Sequence, residues 1–165
     1  DVQCWATPRT FQTLSPVSRE ALAGLKFFTD GAIGSRTAAL RGTFRDGREG
    51  LLLYEDTALL RALGECHGSG KPVAIHAIGD RAIEQVLGAL ERLDRDGVRF
   101  PLVRMEHVQF IDEIQARRAR DLGVVLSMQP NFNSDSRDYT DRLDEHWLAI
   151  NNPFRMLIDS VGFTP

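Results

Sequence analysis

In Val73-Ala-Ile-His-Ala-Ile-Gly-Asp-Arg-Ala82, a short apolar run ends in a histidine and continues into a Gly-Asp turn. Its first three residues are typical of a parallel strand that is covered on both faces. A helix is expected after the turn, because apolar residues recur there at helical spacing: Ile83, Val86, Leu87, Leu90 and Leu93. The segment therefore predicts a strand and a helix, with His76 at the carboxyl end of the strand.

The same order of elements recurs along the chain. Leu102-Val-Arg-Met-Glu-His107 follows a proline, and it too ends in a histidine before a helical pattern. Further predicted elements are strands at 25–29 and 124–128, helices at 15–23, 56–67 and 112–122, and a last weak helix near the carboxyl end. Strands that alternate with helices over short connections form a parallel sheet with right-handed crossovers. The predicted fold class is α/β, with residues 1–165 as one structural unit.

The sheet could be an open, doubly wound one or part of a closed barrel. Asp30, His76, His107 and Gln129 all follow predicted strands, and the carboxyl ends of the strands form the active-site face of a barrel. A doubly wound sheet also binds ligands there, but Gly31-Ala-Ile-Gly34 lacks the third glycine of its phosphate fingerprint. The agreement of these four positions favours a barrel, and 165 residues make it a segment, since a closed (β/α)8 barrel takes roughly 250.

Composition narrows the class of partner. The 20 basic and 23 acidic residues give a net charge of -3 with the signs interspersed, which is unlike a nucleic-acid or anionic-membrane surface. No apolar run approaches the roughly 20 residues that span a bilayer. Cys4 and Cys66 belong to no CxxC pattern, so we expect reduced thiols and a cytoplasmic location. The predicted partner is a small-molecule substrate, with no nucleic acid and no membrane.

Lys26 is unusual because it interrupts the apolar run Leu25-Lys-Phe-Phe-Thr29. Only two lysines occur in the chain, and a buried, unpaired ammonium is costly. Lys26 therefore needs a partner or a modification. Alternatively, its side chain extends to the rim of the barrel and keeps the ammonium in water.

Four ordered motifs stand out: Lys26-Phe-Phe-Thr-Asp-Gly-Ala-Ile-Gly-Ser-Arg-Thr-Ala-Ala39, His76-Ala-Ile-Gly-Asp-Arg-Ala82, Arg104-Met-Glu-His107 and Ser127-Met-Gln-Pro130. Together they resemble signatures of the metal-dependent amidohydrolase superfamily, over about residues 20 to 160. The resemblance is to the YtcJ-like branch, which includes N-substituted formamide deformylase. The resemblance implies a distorted (β/α)8 TIM barrel with one or two divalent metals at its mouth, of which this chain is similar to about strands 4 to 7.

The resemblance also implies a ligand set. Lys26 matches the strand-4 position that often holds a metal-bridging carboxylated lysine, and His76 and His107 match the strand-5 and strand-6 ligands. Carboxylation would turn the ammonium into an anionic oxygen ligand, and neutral imidazole suits zinc. The implied cofactor is one or two divalent metal ions, with zinc as the expected metal. A homodimer is common in the family.

The superfamily's remaining ligands are missing from these residues. The strand-1 His-x-His pair has no counterpart, because the four histidines are His67, His76, His107 and His146. A strand-8 aspartate is also lacking. We therefore expect a partial barrel domain over residues 1–165 that lacks the first strands and strand 8, belongs to a longer enzyme, and is inactive alone. His67 and His146 are expected at the surface, and no general base is assigned.

Loops after the predicted strands offer candidate substrate contacts. Asp30 and Arg36 follow the strand at 25–29, and Gln129 and Asn131 follow the strand at 124–128. These four residues are the predicted substrate-binding set.

Three other carboxylates have simpler interpretations. By strand alternation, Glu106 should lie on the opposite face from His107 and pair with an arginine. Asp80 should cap its helix, and Asp135 should be a loop carboxylate.

The predicted function is metal-dependent hydrolysis of carbon-nitrogen, non-peptide bonds such as amides, with metal-activated water as the nucleophile. Two alternatives stay open. The chain could be a non-catalytic barrel remnant or interaction module, or a lyase in which Lys26 forms a Schiff base.

Overall fold

The computed structural model describes residues 2–132 and 137–163, so the prediction for Asp135 lies outside the described residues. Within these ranges five strands form one sheet: β1 (Trp5–Ala6), β2 (Gly24–Phe28), β3 (Val73–Ala77), β4 (Val103–His107) and β5 (Val125–Ser127). All neighbouring strands are parallel, and their order in the sheet is their order in the chain. A doubly wound sheet reverses its strand order at a switch point. The unreversed order confirms the predicted α/β fold as a segment of a singly wound barrel.

The helices connect the strands and continue after the last one. They are α1 (Pro8–Thr13), α2 (Pro16–Glu20), α3 (Asp56–His67), α4 (Asp80–Arg95), α5 (Glu113–Asp121) and α6 (Glu145–Ile150), followed by a π-helical segment at Met156–Val161. The predicted bounds of α3 are confirmed, and β1 and α1 were not predicted. Among the described residues, no helix has the length and apolarity required to cross a membrane.

The two faces of the sheet have different side chains. Phe27, Ile75 and Met105 are paired in register and join the buried core beneath α3, α4 and α5. On the other face, Phe28, His76 and Glu106 form a row, and Lys26, Ala74 and Arg104 form the row before it. This second face corresponds to the inside of a barrel, so polar and ionisable groups lie where an active site is expected.

A second apolar cluster holds the loops at the carboxyl ends of the strands. Its members come from the loops after β2, β3 and β4 and from the segment around α6: Ile33, Ala38, Leu40, Phe44, Ile78, Phe110, Leu143 and Trp147. Because loops without buried apolar contacts are mobile, this cluster gives the site a fixed base.

The start of α4 differs from the prediction. Asp80 is the first residue of the helix and Gly79 occupies the cap position, without a side-chain cap hydrogen bond. The Asp80 carboxylate instead accepts a hydrogen bond from the Arg41 backbone N–H at 2.9 Å. The prediction that Asp80 caps α4 was wrong by one residue, because any side chain at position 79 would collide with the backbone of Ala39.

Candidate metal centre

His76 and His107 lie together at the carboxyl ends of β3 and β4. Their ring centroids are 4.7 Å apart with an edge-to-face geometry. Lys26 lies one strand away, its Nζ 5.2 Å from the centroid of the Phe28 ring, and that ring is 5.5 Å from the His76 ring. The structure therefore brings the three predicted ligands to one region of the barrel's inner face.

The backbone at the end of β4 turns His107 toward His76. His107 has a φ of 73° and Val108 a φ of 42°, both in the left-handed region that non-glycine residues rarely adopt. Regular alternation would place His107 on the helix-covered face with Met105. The left-handed turn moves its ring to the inner face instead.

Glu106 shares that inner face, because it is paired in register with His76. The prediction that Glu106 lies on the opposite face from His107 was wrong, since the chain leaves strand geometry at His107. The predicted pairing with an arginine is confirmed: Glu106 forms an ion pair with Arg104. Arg104 also lies over the Trp5 ring, 5.1 Å from its centroid.

The tautomer of His107 follows from its hydrogen bond to Gln129. The Gln129 Nε2 donates to the Ser127 carbonyl at 3.2 Å, so its Oε1 is the atom 2.5 Å from His107 Nδ1. An amide oxygen only accepts, so Nδ1 carries the hydrogen and Nε2 presents the lone pair. Metal-ligating histidines typically donate their other ring N–H in this way.

The tautomer of His76 follows from the same reasoning, with the other ring nitrogen as the donor. Its Nε2 lies 2.9 Å from the Gly31 carbonyl oxygen, which can only accept. Nε2 therefore donates, and in this tautomer Nδ1 carries the lone pair. Two imidazoles on adjacent strands thus each offer one nitrogen for a ligand.

Burial and nearby charges control the ionisation of these groups. Burial lowers the pKa of Lys26, with Arg104 acting in the same direction and Glu106 opposing it. Burial is also the main cause that lowers the pKa of His107, and the charges of His76 and Lys26 add to it, against the Gln129 hydrogen bond and Glu106. A lowered pKa keeps the imidazole neutral at neutral pH, which is its metal-binding form.

The predicted substrate residues occupy different environments at the same edge. Asp30 is buried, with an exposure of 2%, and Gln129 contacts His107. Arg36 pairs with Asp46 and with Asp141, which lies beyond β5, at 3.1 Å each. Asn131 is exposed after β5. Contact with substrate stays a prediction for all four.

The donor chemistry fits a divalent metal but is incomplete among the described residues. No group of three or more His, Cys, Asp or Glu side chains that could hold an ion occurs in the described ranges. Two neutral imidazoles suit zinc, whose catalytic sites use three protein ligands. Lys26 is the third ligand that the sequence predicts, and it could bind an ion only after its ammonium is converted to an anion. The predicted surface positions of His67 and His146 are confirmed.

Parallel strands in barrel order, with paired histidines at the ends of β3 and β4, define a class: (β/α) barrels that carry their chemistry at the carboxyl ends of the strands. Comparison with known proteins is more specific. The chain belongs to the Amidohydrolase family, whose model matches residues 5–160.

Individual relatives agree with this membership. The chain is 37% identical over 137 residues to the YtcJ protein of Bacillus subtilis (strain 168), covering 81% of this chain and 26% of that protein. It is 34% identical over 120 residues to the protein LONG AFTER FAR-RED 3 of Arabidopsis thaliana, covering 71% of this chain and 21% of that protein. The chain therefore spans about a quarter of the length of these relatives.

Two solved structures share the fold. One is an uncharacterized metal-dependent hydrolase from Pyrococcus horikoshii OT3, with a TM-score of 0.79 and 32% identity over 98% of this chain and 34% of that one. The other is an uncharacterized metal-dependent hydrolase from Pyrococcus furiosus, with a TM-score of 0.79 and 26% identity over 98% of this chain and 35% of that one. Both of these structures are described as metal-dependent hydrolases.

Sequence reasoning missed the contacts that orient the histidines. The sequence predicts Gln129 as a site residue because it follows a strand, but its bond to His107 depends on a loop conformation that no residue pattern encodes. The Gly31 carbonyl that accepts from His76 is a backbone group, so residue identity gives no signal for it.

Proposed function

We propose that this chain is part of a metal-dependent hydrolase that cleaves carbon-nitrogen, non-peptide bonds, such as amides, in a small-molecule substrate. The observation that carries the proposal is the His76–His107 pair, whose two free lone pairs are set by hydrogen bonds at the mouth of a barrel segment. Membership of the Amidohydrolase family supports the reaction class, and the metal-dependent hydrolases of the same fold support the metal.

In this proposal His76, His107 and a carboxylated Lys26 hold one or two divalent ions, with zinc as the metal. A bound ion of this kind lowers the pKa of water to about 7 and polarises a carbonyl group. The chain's own residues prepare the site: burial keeps His107 neutral, and Gln129 directs its Nε2 inward. Because Arg104 is paired with Glu106, a carboxylated Lys26 would experience less repulsion from the Glu106 carboxylate.

The substrate would approach the edge that carries Arg36 and Asn131. Asn131 is the exposed member of the four predicted contacts, whereas Arg36 is held by its two carboxylate partners and can present only part of its guanidinium. No general base is assigned to these residues. Cys4 and Cys66 are both free thiols, which supports a reduced, cytoplasmic setting for the enzyme. The proposal also includes a homodimer, which is common in the family.

The test is metal analysis and amide hydrolysis in the native polypeptide, with His76→Ala and His107→Ala as variants and His67→Ala as control. We expect each site variant to lose most of its bound zinc and at least 100-fold in kcat/KM, since a ligand is removed from a catalytic metal. His67 is exposed in α3, so its variant should retain both. Full metal content and rate in both site variants would refute the assignment.

One observation favours a second function. Burial lowers the pKa of Lys26, and a lysine with a depressed pKa can form a Schiff base with a carbonyl compound. Borohydride trapping distinguishes the two: a carbonyl substrate that becomes covalently attached at Lys26 after reduction would support the lyase. Absence of an adduct, together with zinc at His76 and His107, would support the hydrolase.

A further inference from the structure

Asp30 is a buried carboxylate whose surroundings connect two loops of the site. Its exposure is 2%, and it is the second residue after the end of β2. Its Oδ2 accepts hydrogen bonds from the backbone N–H of Ala39 at 2.9 Å and of Gly79 at 2.8 Å, and its Oδ1 accepts from the N–H of Ile78 at 3.0 Å. Three backbone donors compensate one buried negative charge, so the carboxylate joins the loop after β2 to the turn after β3.

The same carboxylate lies beside the ring of His76. Its Oδ1 is 3.4 Å from His76 Nε2, the nitrogen that donates to the Gly31 carbonyl at 2.9 Å. The end of β2 also holds the His76 backbone, because the N–H and the hydroxyl of Thr29 both donate to the His76 carbonyl, at 3.0 and 2.7 Å. Three consecutive residues, Thr29 to Gly31, thus contact His76 at its backbone and at one ring nitrogen.

We infer that Asp30 is a positioning residue that holds His76 in the Nε2–H tautomer and keeps its Nδ1 lone pair directed into the site. This inference rests on the proposed function, because it concerns a histidine proposed to bind metal. A carboxylate oxygen near Nε2 attracts the hydrogen on that nitrogen and disfavours a lone pair there. The Gly31 carbonyl accepts the bond, and the Asp30 charge biases which nitrogen carries the hydrogen.

The backbone contacts make this bias rigid. Ile78 and Gly79 are the second and third residues after His76, and both donate to Asp30. The turn after β3 is therefore fixed to the carboxylate, which holds the backbone that carries His76 close to it. Removing a group that orients a metal-binding histidine in this way typically weakens metal affinity by about 10- to 100-fold.

The test compares Asp30→Asn with the matched variant Asp80→Asn. Asp80 is also buried, at 7% exposure, and its carboxylate also accepts a backbone N–H from the loop after β2, that of Arg41. No ring of the proposed site is among its partners in the described structure. The same chemical change at the two positions therefore separates a general structural effect from an effect on His76.

The first measurement needs neither metal nor activity. Nitrogen-15 spectra of histidine side chains in the metal-free native polypeptide, recorded well above the ordinary histidine pKa of about 6.5, report the tautomer of each ring. We expect Nε2–H at His76 in the parent and in Asp80→Asn, and a mixture with Nδ1–H in Asp30→Asn. An Nδ1–H tautomer at His76 in the parent protein would overturn the inference even where Asp30→Asn fails to fold.

The second measurement is the zinc dissociation constant by chelator competition. We expect a weakening of about 10- to 100-fold in Asp30→Asn and less than about 3-fold in Asp80→Asn. Equal affinities in the two variants, with the His76 tautomer unchanged in both, would overturn the inference. If His76→Ala also keeps its zinc, the proposed function fails; if only Asp30→Asn keeps it, the positioning role alone fails.

Discussion

At Gly79 the turn after β3 approaches the loop after β2 closely, and Gly79→Ala tests that approach. A Cβ built on Gly79 would lie 2.1 Å from the Ala39 carbonyl oxygen and 2.3 Å from its carbon. Both atoms belong to the backbone, so no side chain can rotate away. The loop after β2 and the turn after β3 would have to separate by about 1 Å to restore ordinary contact distances.

That separation acts on the hydrogen bonds that join the two segments. Asp30 bridges the N–H groups of Ala39 and Gly79, and the Arg81 N–H donates to the Ala39 carbonyl at 3.0 Å. Hydrogen bonds to a charged group contribute about 1.5 to 3 kcal/mol each, so losing both bonds to Asp30 would cost about 3 to 6 kcal/mol. The same shift would displace His76, so zinc affinity should fall together with stability.

The assay is urea and thermal unfolding of the native polypeptide, with Gly88→Ala as the control. Gly88 lies within α4, the helix that Gly79 caps, and a Cβ there would meet nothing within 4 Å. Alanine at position 88 should therefore stabilise α4 by up to about 1 kcal/mol. We expect the two alanine variants to differ by at least about 3 kcal/mol, in opposite directions from the parent. If Gly79→Ala unfolds within about 1 kcal/mol of the parent, the close approach inferred for this turn does not stabilise the fold.

Other predictions concern groups outside the site. Burial raises the pKa of Cys66 to about 11, so at pH 8 its thiol should resist alkylation until the protein unfolds, while the exposed Cys4 should react quickly; equal rates by mass spectrometry would contradict this. Arg118 binds two glutamates of α4, which hold its pKa above the ordinary range, so Arg118→Ala should destabilise by about 1 kcal/mol and the loss should shrink at high salt. Arg117→Ala, which removes an exposed pair within α5, should cost less than about 0.5 kcal/mol by the same urea titration.

The order of strands and helices could be predicted because each element carries its own periodic signal. The apolar stripe of α4 and the run before His76 each mark one element, and alternating elements imply a parallel sheet. β1 gave no such signal, since Trp5–Ala6 is too short to show a period. Its place in the sheet depends on pairing with β2, which is a tertiary contact.

The start of α4 shows how a tertiary contact outweighs a local preference. Aspartate is a favoured cap and glycine a weaker one, so the sequence Gly-Asp suggests a cap at Asp80. The structure places glycine at the cap because the Ala39 backbone occupies the space of a Cβ, and the Gly79 N–H is needed by Asp30. Ala39 lies 40 residues and Asp30 49 residues before Gly79 in the sequence, so a local pattern cannot register either contact.

His107 illustrates the same limit at the site itself, and it explains why the two histidines meet. A residue at the end of a strand should alternate with its neighbours, yet His107 and Val108 both adopt left-handed backbone, at a cost of about 1 to 2 kcal/mol each. The Val108 N–H offsets part of this cost through contacts with the carbonyls of Ala77 and Glu106, both at 3.0 Å, and the Val108 side chain is fully buried. Strained backbone persists only where its surroundings determine it. Here the Val108 backbone hydrogen bonds, the buried Val108 side chain and the Gln129 hydrogen bond all constrain His107, so its imidazole faces His76 before any ligand binds. A metal ion would therefore not have to supply the free energy of ordering that ring.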